Sequence, residues 1–224
     1  MVKEVDRLKR VKINGEERLA TLNLAEGIQV YNEKLIKLNG LEYRVWDPFR
    51  SKLAAALLKG LKEFPISENS KVLYLGVSTG TTASHISDII GEGGILFGVE
   101  FAPRVAREFI DRVVKHRKNV IPIIEDARRP DKYLSIFGKV DIVYCDLAQP
   151  DQTEIAILNC KKYLKNGGHL LLIVKARSID VIKEPKEIFK IEAEKLENEG
   201  FKINQIIKLD PFDKDHALID AIME

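Results

Sequence analysis

Two cysteines, two methionines and one tryptophan are all the chain holds of those types among 224 residues. Cys145 and Cys160 are too few for a disulfide framework, and there is no CxxC pair to bind a metal, which suits a reducing compartment. The histidines, His85, His116, His169 and His216, lack metal-ligand spacing, so no metal centre is expected. No apolar run approaches the ~18 residues of a membrane span, and the opening MVKEVDRLKR lacks the apolar stretch of a signal peptide. A cytoplasmic protein without membrane association is the expectation. An excess of either charge is also missing: 36 Lys and Arg stand against 34 Asp and Glu, a net charge of +2. Proteins that grip nucleic acid unaided carry a stronger basic excess, so an RNA substrate would imply a partner that helps to hold it.

What is present is a globular composition, 45% hydrophobic and 31% charged, long enough for one domain plus an appendage. The pattern changes character near residue 47. Before it, Asn14-Gly15 and Asn39-Gly40 each sit between short strand-like runs, the strongest local hairpin signal, because both turn residues must take positive φ. Residues 1–46 are therefore read as a small antiparallel β module of two hairpins. Residues 47–224 are read as the main domain. Asp47 and Pro48 suit a cap and first helical position, predicting a helix over FRSKLAAALLKG that ends at Gly60.

After residue 70 strand and helix patterns alternate. KVLYLG, ILFGVE, NVIPIIE, VDIVYCD and HLLLIVK are continuously apolar, as strands buried on both faces require. Between them TASHISDII, PRVAREFIDRVVKHR, RPDKYLSIF and DQTEIAILNCKKYL read as helices, and KEPKEIFKIEAEKLENEG follows the fifth strand as another. FKINQIIKL and HALIDAI close the chain as two strands with no helix between them. The expected fold is α/β, a Rossmann-like, mostly parallel, doubly wound sheet whose last strand runs antiparallel.

Ligands of such sheets bind beyond the carboxyl ends of the strands. Those ends are Gly76–Thr82, then Glu100, Asp126, Asp146 and Lys175. Three successive strands ending in an acid offer acceptors for ribose hydroxyls, an exocyclic amine or an ammonium. Glu100 lies twenty residues beyond Gly80, where a Rossmann-type site keeps its ribose-binding carboxylate. Asp126, shortly before Pro130, could equally cap a helix; Glu100 suits that less well, since its helix more naturally starts near Pro103. GVSTGTT matches neither Gly-x-Gly-x-x-Gly nor the phosphate loop ending in Gly-Lys-Ser/Thr. S-adenosylmethionine (SAM) carries no phosphate. Two glycines with Thr79, Thr81 and Thr82 suit its methionine end, with Gly76 and Gly80 giving the backbone a close approach.

Asp146 and Lys175 end consecutive strands and should share one crevice, with Lys52 on the helix leading into the domain and His216 at the start of the last strand. A lysine becomes a base where desolvation or nearby positive charge favours the neutral amine. For methylation of a ribose 2′-hydroxyl, Lys175 is the candidate base, with Lys52 and the sulfonium supplying charge and Asp146 orienting the amine. Taken singly, Lys52 would be an ordinary solvated lysine and His216 a structural histidine. Cys145 reads as a buried strand residue rather than a nucleophile.

At these residues the sequence resembles the fibrillarin family in its compact archaeal form. The resemblance spans nearly the whole chain through EYRVWDPFRSKLAAA, KVLYLGVSTGTTASHISDI, GVEFAPRVARE, DLAQPDQ, VKARSIDV and PFDKDHA. It implies SAM as methyl donor and the ribose 2′-hydroxyl of ribosomal or transfer RNA as acceptor. It implies a box C/D guide RNA that selects the site, a Nop-domain scaffold protein and a kink-turn-binding ribosomal-type protein. Carried over by matching segments, it implies SAM contacts at Thr81, Thr82, Glu100, Phe101, Asp126, Ala127 and Asp146 through Leu147, Ala148 and Gln149. It also implies a catalytic Lys-Asp-Lys-His set at Lys52, Asp146, Lys175 and His216. One departure is GVSTG in place of the commoner GAASG; Val77 and Thr79 are bulkier and are expected to tighten the pocket. A nicotinamide-dependent dehydrogenase is disfavoured by the missing glycine fingerprint, and a non-catalytic ribonucleoprotein subunit by retention of all four catalytic positions. The N-terminal hairpins and the run Lys115-His116-Arg117-Lys118 are candidate partner or RNA contacts.

Overall fold

A computed structural model describes residues 7–133, 136 and 138–224. The first strands are β1 (Leu8–Ile13), β2 (Glu16–Leu22), β3 (Leu35–Leu38) and β4 (Leu41–Trp46), an antiparallel sheet in the order β1-β2-β4-β3. Both hairpin turns carry the positive φ pair that a tight turn between twisted strands demands, 52° and 84° at Asn14-Gly15 and 52° and 81° at Asn39-Gly40. Residues 1–6 of the expected module lie outside the described residues.

The next helix starts later than its sequence signals suggest. Asp47 accepts from the Phe49 amide at 2.9 Å, and the Arg50 amide returns to the Asp47 carbonyl at 3.2 Å, so residues 47–50 make a turn. Ser51 then caps α1 (Lys52–Leu58), its hydroxyl accepting from the Ala54 amide. An Asx turn competes with the helix for the same amides, and here the turn wins.

The main sheet contains β5 (Lys71–Leu75), β6 (Ile95–Val99), β7 (Val120–Ile123), β8 (Val140–Cys145), β9 (Leu164–Lys175), β10 (Phe201–Lys208) and β11 (His216–Met223). The strand order is β10-β11-β9-β8-β5-β6-β7; the inner pairs are parallel, and β11 runs antiparallel to both neighbours. The expected mostly parallel sheet with an antiparallel last strand is thus what forms. The order reverses between β5 and β8, and ligand crevices open at such switch points. Alternate residues supply two cores. Val72, Tyr74, Ile142, Tyr144, Leu171 and Ile173 face one side, and Leu73, Leu75, Val143, Cys145, Leu170 and Leu172 face the other.

The helices are α2 (Thr81–Ile90), α3 (Pro103–Arg112), α4 (Gln152–Tyr163), the short α5 (Ala176–Ile179) and α6 (Pro185–Asn198). The predicted helix over 103–117 is interrupted: α3 stops at Arg112 and a 3₁₀ turn, Val114–His116, follows. Of the helix expected over RPDKYLSIF, a 3₁₀ turn at Pro130–Lys132 is described, whereas residues 134, 135 and 137 lie outside the described residues.

Helix α2 is buried from Thr82 to Ile90 because it lies between the main sheet and the N-terminal sheet. Its polar residues therefore bond across the seam. Asp88 receives Arg44 Nη1 at 2.8 Å and Arg117 Nη2 at 3.1 Å, and Ser84 Oγ accepts from Arg44 Nη2 at 2.8 Å. Arg117 is thus a buried structural cation and does not belong to an exposed basic run, because its guanidinium turns inward to Asp88. The N-terminal module and main domain share one apolar core, in which Leu8, Leu19 and Trp46 pack with Ile86, Ile89 and Ile90.

Candidate active site

A cleft of about 260 Å³ opens at the carboxyl edge where β5, β6, β7 and β8 end. Its polar lining includes Ser78, Glu100, Glu125, Asp126, Arg128, Asp146, Gln149 and Lys175. Val99, Phe101, Ala127, Leu147 and Ile155 supply apolar wall, and Phe101 is 61% exposed. Glu100 is fixed at both oxygens, one accepting from the Ser78 amide at 3.1 Å and the other from the Ala102 amide at 3.0 Å. It therefore ties the glycine loop to the start of α3 and also lines the cleft. Asp126 accepts from the Arg128 amide at 2.9 Å, so it orders its own turn and also lines the cleft.

The two loop glycines do different things. At Gly76, with φ of 78°, a Cβ would stand 2.9 Å from the Asp146 carbonyl oxygen and from Leu147 Cδ2, so only glycine lets the β5 and β8 ends converge under the cleft. At Gly80 a Cβ would meet Val113 Cγ2 at 2.5 Å and Phe109 Cδ2 at 2.8 Å. Gly80 accordingly serves the packing of α2 against α3 and is not among the cleft-lining residues. Thr81 and Thr82 are not among them either; Thr82 is buried, with its hydroxyl 2.9 Å from that of Ser51. Val77 is packed into the core, and neither it nor Thr79 is among the cleft-lining residues.

The catalytic candidates come together at one edge of this cleft. The register pairs Cys145 with Leu172 and His216 with Lys175, bringing the ends of β8 and β9 and the start of β11 to the same rim. Lys175 Nζ lies 2.8 Å from Asp146 Oδ1 and donates to the Asp146 carbonyl at 3.2 Å. Lys52 Nζ donates to Asp146 Oδ2 at 3.3 Å. One carboxylate thus holds two lysines. Lys52 is also 3.7 Å from Asp213 Oδ2, and Asp213 Oδ1 is 2.9 Å from His216 Nδ1. The Lys214 carbonyl lies 2.7 Å from the same Nδ1. Both neighbours can only accept, which assigns the ring proton to Nδ1 and leaves Nε2 for a ligand.

Asp213 was not singled out in the sequence, although it stands inside DKDHALID. The signal for it would have been an acid three residues before a site histidine, which in sequence alone looks like any turn aspartate. Cys145 is buried and its thiol is pushed up to about 12 by burial, which agrees with a structural residue. Among the described residues no cluster of His, Cys, Asp and Glu could hold a metal ion, and no helix is long and apolar enough to cross a membrane.

This lining fits a nucleoside without phosphate. The carboxylates suit hydroxyls, and the apolar walls with the Phe101 ring suit a purine. The cations are already engaged: Arg128 takes both oxygens of Asp151 at 2.7 and 2.9 Å, and Lys175 is held by Asp146. The fibrillarin family model matches residues 2–224. The chain belongs to the fibrillarin family. A Saccharolobus islandicus fibrillarin-like rRNA/tRNA 2′-O-methyltransferase is 57% identical over 206 residues, covering 92% of this chain and 88% of that protein. The crystal structure of Aeropyrum pernix fibrillarin, in complex with natively bound S-adenosyl-L-methionine, is 49% identical with a TM-score of 0.90, covering 97% of this chain and 95% of that one. A fibrillarin in complex with Nop5p is 37% identical with a TM-score of 0.86, covering 99% of this chain and 100% of the other.

Proposed function

We propose that this fibrillarin-family chain transfers the methyl group of SAM to the 2′-hydroxyl of ribose in rRNA and tRNA, as the catalytic subunit of a box C/D ribonucleoprotein. The observation that carries this reading is one carboxylate, Asp146, holding two lysine amines at the rim of a phosphate-free nucleoside cleft. When bound, SAM supplies an electrophilic methyl on a sulfonium. Gly76, Glu100, Phe101, Asp126, Ala127 and Asp146 through Gln149 would hold it, with Glu100 on the ribose hydroxyls. Thr81 and Thr82 would add the further SAM contacts that the resemblance implies, while Gly80 packs α2 against α3 beneath the cleft.

Lys175 would take the proton of the 2′-hydroxyl as the methyl carbon bonds to that oxygen and its bond to the sulfonium sulfur breaks, the cofactor leaving as a neutral thioether. The proton then leaves Lys175 for solvent. Asp146 fixes the amine from two directions, through its side chain and its carbonyl. Lys52 adds a second positive charge on the same carboxylate. His216, held through Nδ1, turns Nε2 towards the ribose, and Asp213 joins it to Lys52. The chain works with a Nop-domain scaffold protein, a kink-turn-binding ribosomal-type protein and a guide RNA that selects the nucleotide. The nearly balanced charge supports such a division of labour. The cytoplasm is the proposed compartment, in keeping with Cys145 and Cys160 as buried free thiols.

The deciding test is mass spectrometry of RNA incubated with the assembled complex and methyl-labelled SAM. Methyl groups should appear at guide-specified 2′-positions; unmodified RNA would sink the proposal. Glu100→Ala should weaken SAM binding roughly 10- to 100-fold by loss of a charged acceptor, measured by isothermal titration, and unchanged affinity would remove Glu100 from the site. Asp213→Asn should lower kcat about tenfold, the order of one charge-assisted bond, with SAM affinity and the KM for RNA unchanged. A fall in SAM affinity instead would show that Asp213 only supports the fold of the cleft.

A further inference from the structure

A second cleft, about 350 Å³, lies on the N-terminal module beside α1. Arg18, Lys34, Arg50, Trp46 and Phe49 are among its walls. Phe49 is 63% exposed, although its amide and its ring both have partners. Its amide is fixed by Asp47, and its ring meets Phe212 edge-on at 5.2 Å between centroids. Phe212 immediately precedes Asp213, and Phe49 stands three residues before Lys52. Phe49 is therefore a wall shared by this cleft and the catalytic rim.

The charges of the cleft are not balanced locally. Lys34 and Arg50 have no carboxylate partner among the described residues; Arg50 lies over the Tyr31 ring at 5.7 Å, and Arg18 pairs with Glu16. Of the acids in the lining, Glu33 is buried against Arg44, and Asp47, which accepts from the Phe49 amide, leaves one carboxylate against the two unpaired cations. The buried Trp46 Nε1 has no acceptor among the described residues. Surplus cations beside an exposed ring match a nucleic acid strand, in which phosphates alternate with flat nucleoside faces.

We propose that this cleft holds the RNA strand next to the target nucleotide, with Phe49 packing on a nucleoside face and Lys34 and Arg50 meeting phosphates. The inference rests on the RNA methyltransferase reading and adds a path for the substrate to it. The strand passes from the catalytic rim over Phe49 and into the cleft. Sequence-independent contacts of this kind suit an enzyme whose site selection lies in a guide.

The test uses the complex reconstituted with its scaffold protein, kink-turn-binding protein and guide RNA. Target strands carry 4-thiouridine on either side of the target nucleotide and are cross-linked by ultraviolet light. The tryptic peptide Val45–Arg50 should carry the cross-link. Phe49→Ala should raise the KM for target RNA roughly five- to a hundredfold, whereas Phe49→Tyr should bind as wild type. Lys34→Ala and Arg50→Ala should each reduce the slope of log affinity against log salt by about 0.7. Cross-links confined to other peptides, together with unchanged KM and salt slope, would overturn the proposal. So would variants that fail to assemble with the scaffold protein while keeping the wild-type salt slope, for then the cleft is a protein contact. A wild-type complex that cross-links at Val45–Arg50 yet transfers no methyl would refute the proposed activity and leave the cleft as an RNA site.

Discussion

Lys175→Ala abolishes methyl transfer by the assembled complex and leaves SAM binding within about twofold of wild type. Loss of a positioned general base costs roughly 10²- to 10⁴-fold in rate, and this side chain is the cleft-lining amine held at 2.8 Å from Asp146. Alanine alone does not separate a base from a charge, so Lys175→Arg is the sharper variant. Arginine keeps the positive charge and a bond to Asp146 but stays protonated at all accessible pH. Single-turnover methylation with labelled SAM should be as low in Lys175→Arg as in Lys175→Ala. Appreciable turnover by the arginine variant would transfer the proton-accepting role to another group and leave Lys175 an electrostatic one. Isothermal titration of SAM on both variants guards against a collapsed cleft, since Lys175 is one of many residues around it.

The parts of the fold legible in the sequence are those whose signal is local. Asn14-Gly15 and Asn39-Gly40 announce their hairpins because few residue pairs tolerate two successive positive φ values. The apolar strand runs announce a sheet buried on both sides, and the acids ending β6, β7 and β8 announce its ligand edge. What escaped depends on partners distant in the chain. Arg117 looks like one cation among Lys115, His116 and Lys118 until Asp88, 29 residues earlier, is seen to bind it in the core. Gly80 looks like a cofactor glycine until Val113 and Phe109 are seen to fill the space a side chain would need. Asp213 acquires meaning only when the strand β11 brings it beside Lys52, far away in sequence. At Asp47-Pro48 the competing signals were both local, and side-chain capture of the Phe49 amide shifted the helix start to Ser51.

Arg44→Met loosens the seam between the two sheets and lowers stability by about 3–5 kcal/mol, the cost of leaving a buried charge without its partner. Arg44 is fully buried and binds two acids, Glu33 and Asp88, that are buried as well. Burial alone would raise the Glu33 pKa, yet the Arg44 guanidinium and the amides of Val30 and Tyr31 hold it below the usual value. Asp88 retains Arg117 and the Thr21 hydroxyl in the variant, so Glu33 bears most of the loss. At about 2–4 °C per kcal/mol for a chain of this size, the midpoint should fall by roughly 6–20 °C in calorimetry. Adding Glu33→Gln should restore part of that loss; strictly additive destabilisation would show the ion pair to be irrelevant. The same variant changes the acid limb of stability through His85. Its Nδ1 faces Thr21 and its Nε2 faces Tyr31, and its pKa is held well below the usual value by burial and by the nearby Arg44 and Arg117 cations. A histidine neutral in the fold and protonated when unfolded contributes stability that is complete above about pH 6.5 and lost as pH falls below it. With one of the two opposing cations gone, His85 protonates at a higher pH in the folded variant. Its stability should therefore fall less far on acidification than that of wild type, and an unchanged fall would leave burial and Arg117 as the causes of the depression.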